Sequence, residues 1–121
     1  MLIVDDDPML CRVFSRVLKP FAQITVSPGG EEALGVLQED KDWDLILCDL
    51  MMPDIDGVDI HRWLRLHAPT LIHRLSFLSG GAFSERTQAF LTQHAIVPIT
   101  KPIAPDTLIR HVKRHVQPTG P

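Results

Sequence analysis

Short apolar runs alternate with helix-spaced segments five times along the chain. The runs fall at 2–4, 22–26, 44–48, 72–78 and 96–100, and the helical patterns at 8–18, 28–39, 57–66, 83–94 and 105–116. Leu10, Val13, Phe14, Val17 and Leu18 form one stripe at helical spacing, and Leu108, Ile109, Val112 and Val116 form another. Phe83, Phe90 and Leu91 put bulk on one side of the fourth helix. Alternation of this kind predicts an α/β domain, a parallel sheet with helices on both faces.

Punctuation along the chain agrees. Pro8 and Pro105 suit a first helical turn, and Ser27-Pro28 reads as an N-cap followed by the first helical position. Lys19-Pro20 and Ala68-Pro69 end helices, because the residue before proline resists the α region. Glu31-Glu32 fall in a first turn, where the helix dipole favours negative charge. Residues 1–116 read as one domain, and the segment 117–121 as a tail or the start of a linker.

Residues at the ends of the apolar runs carry the chemistry. Leu2-Ile3-Val4 opens onto Asp5-Asp6-Asp7, and Leu45-Ile46-Leu47-Cys48 delivers Asp49 to its end. Later runs end at Ser79-Gly80-Gly81 and at Lys101-Pro102. In a parallel α/β sheet these four ends lie along one edge, where sites of this architecture form.

Composition narrows the reading. The 121 residues fit one domain, and 45% apolar content supplies one core. A net charge of −3 leaves no basic footprint, so direct nucleic-acid binding is not expected. No apolar run approaches the ~20 residues of a membrane span. The opening Met-Leu-Ile-Val-Asp lacks a secretory leader pattern, and two cysteines suit a reducing compartment, so a cytoplasmic setting is expected. Cys11 and Cys48 read as small core hydrophobes, with a disulfide the minor reading.

Asp5, Asp6 and Asp49 would converge, and like charges at that range repel by ~4 kcal/mol per pair at intermediate dielectric. Hard oxygen donors suit Mg²⁺, which takes one or two carboxylates and keeps several waters. Asp6 and Asp49 are expected as direct ligands, Asp5 through a water, with the Met51 carbonyl completing the protein share. The bland alternative is that strand-end acids only cap the next helix, and Asp7 ahead of Pro8 is expected to do only that. Asp49 is the nucleophile candidate, since a carboxylate can attack phosphorus to form an acyl phosphate. Lys101 offers a mobile cation and Ser79 a hydroxyl to the phosphoryl oxygens. Taken alone, Ser79-Gly80-Gly81 is a simple turn. Pro102 suggests a tight turn, with a cis bond as one form of it.

Val4-Asp5-Asp6-Asp7, Asp49-Leu50-Met51-Met52-Pro53 with Asp56-Gly57, Ser79-Gly80 and Lys101-Pro102 together resemble the receiver domain of two-component response regulators. Successive members stand 43, 30 and 22 positions apart (6→49→79→101), and the match covers essentially the whole chain. The resemblance implies a flavodoxin-like, doubly wound five-stranded parallel sheet in order 2-1-3-4-5 with five helices. It implies phosphoryl transfer to Asp49 from a phosphohistidine, on a sensor histidine kinase or phosphotransfer domain, with Mg²⁺. Pro8, Met9, Arg12 and Ile103 are the kinase-facing patch expected from it. The segment Phe77-Leu78-Ser79-Gly80-Gly81-Ala82-Phe83, with the later Thr-Lys-Pro-Ile turn, resembles receivers attached to bacterial hybrid sensor kinases; dimerisation is left open.

Two positions depart from the family. Pro98 stands three before the lysine, where receivers usually carry the aromatic that follows the hydroxyl's movement. Ala104 stands where an acidic cap is common, at a cost to the last helix of ~1 kcal/mol.

Two other functions compete. An aspartyl-phosphate phosphatase usually needs a second acid two residues after its nucleophile, and Met51 stands there. A phosphorylation-independent interaction module would fit Pro98 but not the intact acid set. Neither reading makes the first one a turnover enzyme: its chemistry is stoichiometric self-phosphorylation with slow hydrolysis. His111 and His115 lie one turn apart on the last helix without an evident third ligand, and read as solvated surface. His61, His67, His73 and His94 suggest no triad, and Trp43 and Trp63 read as packing or partial surface cover.

Overall fold

A computed structural model describes residues 1–81 and 83–116 of the chain; Ala82 and the expected tail 117–121 lie outside the described residues. Strand β1 (Leu2–Val4) leads into helix α1 (Pro8–Leu18), then β2 (Thr25–Ser27) and α2 (Gly30–Glu39). Next come β3 (Ile46–Asp49), α3 (Gly57–His67), a 3-10 helix (Pro69–Arg74) and β4 (Leu75–Ser79). The series closes with α4 (Glu85–Gln93), β5 (Ile99–Thr100) and α5 (Pro105–His115). All pairings are parallel, and the strands stand in the order β2-β1-β3-β4-β5. The fold and strand order are those the resemblance implied.

The two-residue period of a strand sorts the core into two layers. Leu2 and Val4 of β1, with Ile46 and Cys48 of β3, pack under Ala33 and Leu37 of α2, Ile60 and Leu64 of α3, and Phe90 and Leu91 of α4. Ile3 and Leu47 face the other way, with Leu78, against Cys11, Phe14 and Leu18 of α1 and Leu108 and Val112 of α5. Both cysteines are buried and free, as core hydrophobes. A fully buried leucine contributes roughly 1.5–3 kcal/mol. The two layers therefore hold the central strand ends fixed.

Capping explains where most helices start. Asp7 accepts from the amides of Met9 and Leu10 at 3.0 and 3.3 Å, with Pro8 in the first turn. In α3, Asp56 and Asp59 form a reciprocal capping box at 3.1 Å each way. Ser84 caps α4 by accepting from Thr87 N at 3.2 Å. Ala104 precedes α5 with no side-chain cap, as expected. The Lys101–Pro102 bond is cis.

Several boundaries differ from the sequence reading. Ser27 is no N-cap: it pairs with Val4 in the sheet, its carbonyl accepts from Asp5 N at 3.2 Å, and α2 starts after Gly29. β2 starts later than expected because the amides of Phe21 and Ala22 return to the Leu18 carbonyl and round off α1. The early part of the fourth run winds into the 3-10 helix with Leu71 buried, so β4 starts at Leu75. Phe83 lies outside α4, yet still packs against the first layer. β5 is only two residues long, directly after Pro98, which has no amide to donate to a ladder.

Candidate functional site

Four strand ends meet at one place. Asp5 and Asp6 follow β1, Asp49 closes β3, Ser79 closes β4, and Lys101 follows β5. One carboxylate oxygen from each of Asp5, Asp6 and Asp49 lies within 4.8 Å of the others. Lys101 Nζ donates to Asp5 Oδ2 at 2.9 Å and stands 3.3 Å from Asp49 Oδ2. Asp5 Oδ1 accepts from Asp7 N at 2.9 Å, so both its oxygens are engaged. Asp49 Oδ1 faces the amide of Met51 at 3.4 Å. The hollow sits between β1 and β3, where the strand order reverses and sites of this architecture form.

Burial sets the electrostatics. Asp5 and Asp49 are buried, Asp6 is exposed, and Lys101 is partly covered. Burial, and then the Asp5 charge, push the Asp49 carboxyl above its ordinary value, against the pull of Lys101 and the Met51 amide. For Lys101, burial acts to lower the ammonium's value, but the hydrogen bond to Asp5 and the Asp49 charge outweigh it and raise it. Burial drives the Cys48 thiol far above its usual range, helped by Asp49. Three carboxylates and one ammonium leave a formal −2. A divalent cation with a preference for hard oxygen neutralises that charge, so the donor set fits Mg²⁺.

Ser79 belongs to the same edge, but its hydroxyl donates to the Gly81 carbonyl at 3.5 Å and bonds none of the three acids. Its backbone takes part directly, because the Ser79 carbonyl accepts from Lys101 N at 2.7 Å. Of the four patch residues, Pro8, Met9 and Arg12 are exposed on α1, and Ile103 is half-buried against the second layer. Pro8 and Arg12 border a hollow of about 480 Å³ together with Val26 and Pro28.

Other residues matter that the sequence did not single out. Arg86 Nη1 and Nη2 reach Asp56 Oδ2 and Asp59 Oδ1 at 2.8 Å each, tying α4 to α3. Thr87, fully buried, donates to Met51 Sδ at 3.6 Å. Partners 27, 30 and 36 positions away leave no local signal. His61 is buried, with its Nδ1 unpartnered, in ring contact with Phe77, Phe90 and His94.

His111 corrects an expectation, since it is not solvated surface. It is half-buried, and its Nε2 shares a proton with Ser76 Oγ at 2.8 Å. His115 Nδ1 is engaged by the His111 carbonyl at 2.9 Å, which leaves the pair poorly arranged to share an ion.

A doubly wound parallel sheet whose switch point gathers acids, a hydroxyl and a lysine defines a class of phosphoryl-handling α/β domains. The family model for the response regulator receiver domain matches residues 1–113, and the chain belongs to that family, the receivers of two-component systems. It is 32% identical over 114 residues to the transcriptional regulatory protein SrrA of Staphylococcus aureus, covering 93% of this chain and 46% of that protein. A CheY-like receiver domain protein from Methanospirillum hungatei superposes with a TM-score of 0.79 at 23% identity, covering 93% of this chain and 89% of that one. The signal receiver domain of a signal transduction histidine kinase from Syntrophus aciditrophicus gives 0.73 at 28% identity, covering 93% and 86%. The chain spans half or less of the curated relatives' length, from 15% to 50% in the first three. Among the described residues no helix is long and apolar enough to cross a membrane.

Proposed function

We propose that Asp49 is the phosphoacceptor of this receiver. It takes a phosphoryl group from a phosphohistidine on a sensor histidine kinase or phosphotransfer domain. An Asp49 oxygen attacks phosphorus, the P–N bond breaks, and the imidazole keeps the electron pair and takes up a proton. Asp6, Asp49 and the Met51 carbonyl would hold Mg²⁺ directly and Asp5 would act through water, in keeping with the 2.9 Å bonds on both Asp5 oxygens against looser contacts of 3.3 and 3.4 Å on Asp49. When bound, the cation supplies charge neutralisation for the phosphoryl oxygens. Lys101 adds a second positive charge, and Ser79 turns its hydroxyl from Gly81 toward the phosphoryl group.

The observation that carries this reading is Lys101 Nζ at 2.9 Å from Asp5 and 3.3 Å from Asp49, inside a cluster of three acids. The reaction is stoichiometric, with slow hydrolysis, and not turnover of an external substrate. The partner docks on Pro8, Met9 and Arg12, with Ile103 at the border. Residues 1–116 are the working domain, acting in the cytoplasm without direct contact to nucleic acid. Likeness to the Syntrophus receiver supports a place in a hybrid sensor kinase.

The test is intact mass after acetyl phosphate and Mg²⁺. Wild type is expected to gain one phosphoryl group, and Asp49→Asn none. Equal labelling of both removes Asp49 from its role, and no labelling of wild type overturns the function.

A further inference from the structure

We infer that Arg86 and Thr87, in the first turn of α4, are positioning residues for the loop between β3 and α3 that carries Met51. The inference rests on the phosphoacceptor reading, in which that loop supplies part of the cation's shell.

Leu50 and Met52 anchor the loop in the first core layer and Ile55 packs against Gly30 of α2, while Met51 stays exposed and outside that packing. Leu50 N bonds to Leu78 O at 2.9 Å and Gly57 N to Leu50 O at 3.0 Å, closing its base. Within it Asp54 adopts a φ of 65°, a left-handed conformation that aspartate visits at a cost. Such a shape persists only where the surroundings enforce it.

Two side-chain ties from α4 add to that packing at the two ends of the loop. At the near end, Ser84 Oγ donates to Thr87 Oγ1 at 3.0 Å, and the Thr87 hydroxyl donates to Met51 Sδ at 3.6 Å. Met51 is the same residue whose amide faces Asp49 Oδ1. At the far end, the capping box uses one oxygen each of Asp56 and Asp59, and Arg86 takes the other two at 2.8 Å. All four carboxylate oxygens are thus engaged. A planar guanidinium can bridge two carboxylates this way, whereas an ammonium is a single point charge. A half-exposed ion pair contributes little to folding stability. The consequence of losing Arg86 therefore falls on loop geometry rather than on folding.

The variants are Arg86→Ala, Arg86→Lys and Thr87→Val, with Arg74→Ala as control. Arg74 pairs with Asp44 at 3.4 Å near the opposite end of the sheet, so the control removes the same charge far from the site. Two readouts serve: hydrogen exchange of amides 51–57 in the metal-free protein, and Mg²⁺ affinity from amide shifts on titration, both well below the melting transition. Arg86→Ala is expected to speed loop exchange and to weaken Mg²⁺ about fivefold, within the range for residues that couple to a site without touching its ligand. Arg86→Lys should recover part of both, Thr87→Val should loosen the Met51 end, and Arg74→Ala should match wild type. If Arg86→Ala leaves Mg²⁺ affinity at the wild-type value, or if Arg74→Ala weakens it equally, the positioning role is overturned. Wild type that binds no Mg²⁺ and takes no phosphoryl group instead brings down the function itself, a distinct result.

Discussion

β3 and β5 each deliver one side chain to the same hollow, yet they are built in opposite ways. β3 has four buried residues, pairs on both sides, and presents Asp49 from the middle of the sheet. β5 has two residues at the sheet edge, Ile99 half-buried and Thr100 exposed, pairs only with β4, and leads to Lys101. Asp49 is fixed by packing from both layers. The lysine is fixed mainly at its two ends, by Ser79 O on its backbone and by Asp5 on its ammonium. The nucleophile role proposed for Asp49 needs a set position, while a point cation on a four-carbon stem tolerates a softer mount.

The largest expected effect lies under β4, between these regions, at His61. Burial, followed by His94 and Arg65, pushes its pKa down to about 4. The unfolded chain takes up a proton near 6.5, while the folded chain resists until about 4. Stability from this residue is therefore full above that window and drains as pH falls through it, by on the order of 3 kcal/mol. Urea melts of wild type and His61→Leu from pH 7 to pH 4 should show the variant losing less. Parallel curves for the two proteins would mean that His61 is not held neutral by the fold.

The next effect probes the β3 end. A Cβ at Gly57 would meet Phe77 Cε1 at 2.8 Å and the Asp49 carbonyl and Leu50 Cα at 3.0 Å. Gly57→Ala should lower unfolding free energy by about 2 kcal/mol, as overpacking does. A shift in the urea midpoint near zero would show the acceptor strand to be as yielding as the edge. The smallest effect concerns the β5 end, where Ala104→Asp supplies the missing cap of α5 and should stabilise by about 1 kcal/mol. A loss on the same measurement would show that the edge is already tightly specified.

Much of this was legible along the chain, for identifiable reasons. Strand ends followed by acids or a lysine fix Asp5, Asp6, Asp49 and Lys101 to one edge once the sheet is parallel. Helices α1 and α5 follow their apolar stripes, and α3 stops at its proline boundary. The misread boundaries share a cause: Ser27 and residues 72–74 have local chemistry that fits two structures, and tertiary pairing chose between them. Gly30 shows the same limit, since a Cβ there would stand 2.7 Å from Ile55 Cβ, a crowding visible only in three dimensions. The Ser79 hydroxyl's turn toward Gly81, the Arg86 bridge and the Ser76–His111 bond all join distant segments or depend on rotamers. Spacing says nothing about either.

Cys11 and Cys48 pack into different layers, so the full thickness of the β-sheet stands between the two sulfurs. Oxidising surroundings therefore cannot link them without unfolding the domain. The Cys48 thiol beside Asp49, fully buried and kept protonated, is shielded from oxidants in the surrounding medium.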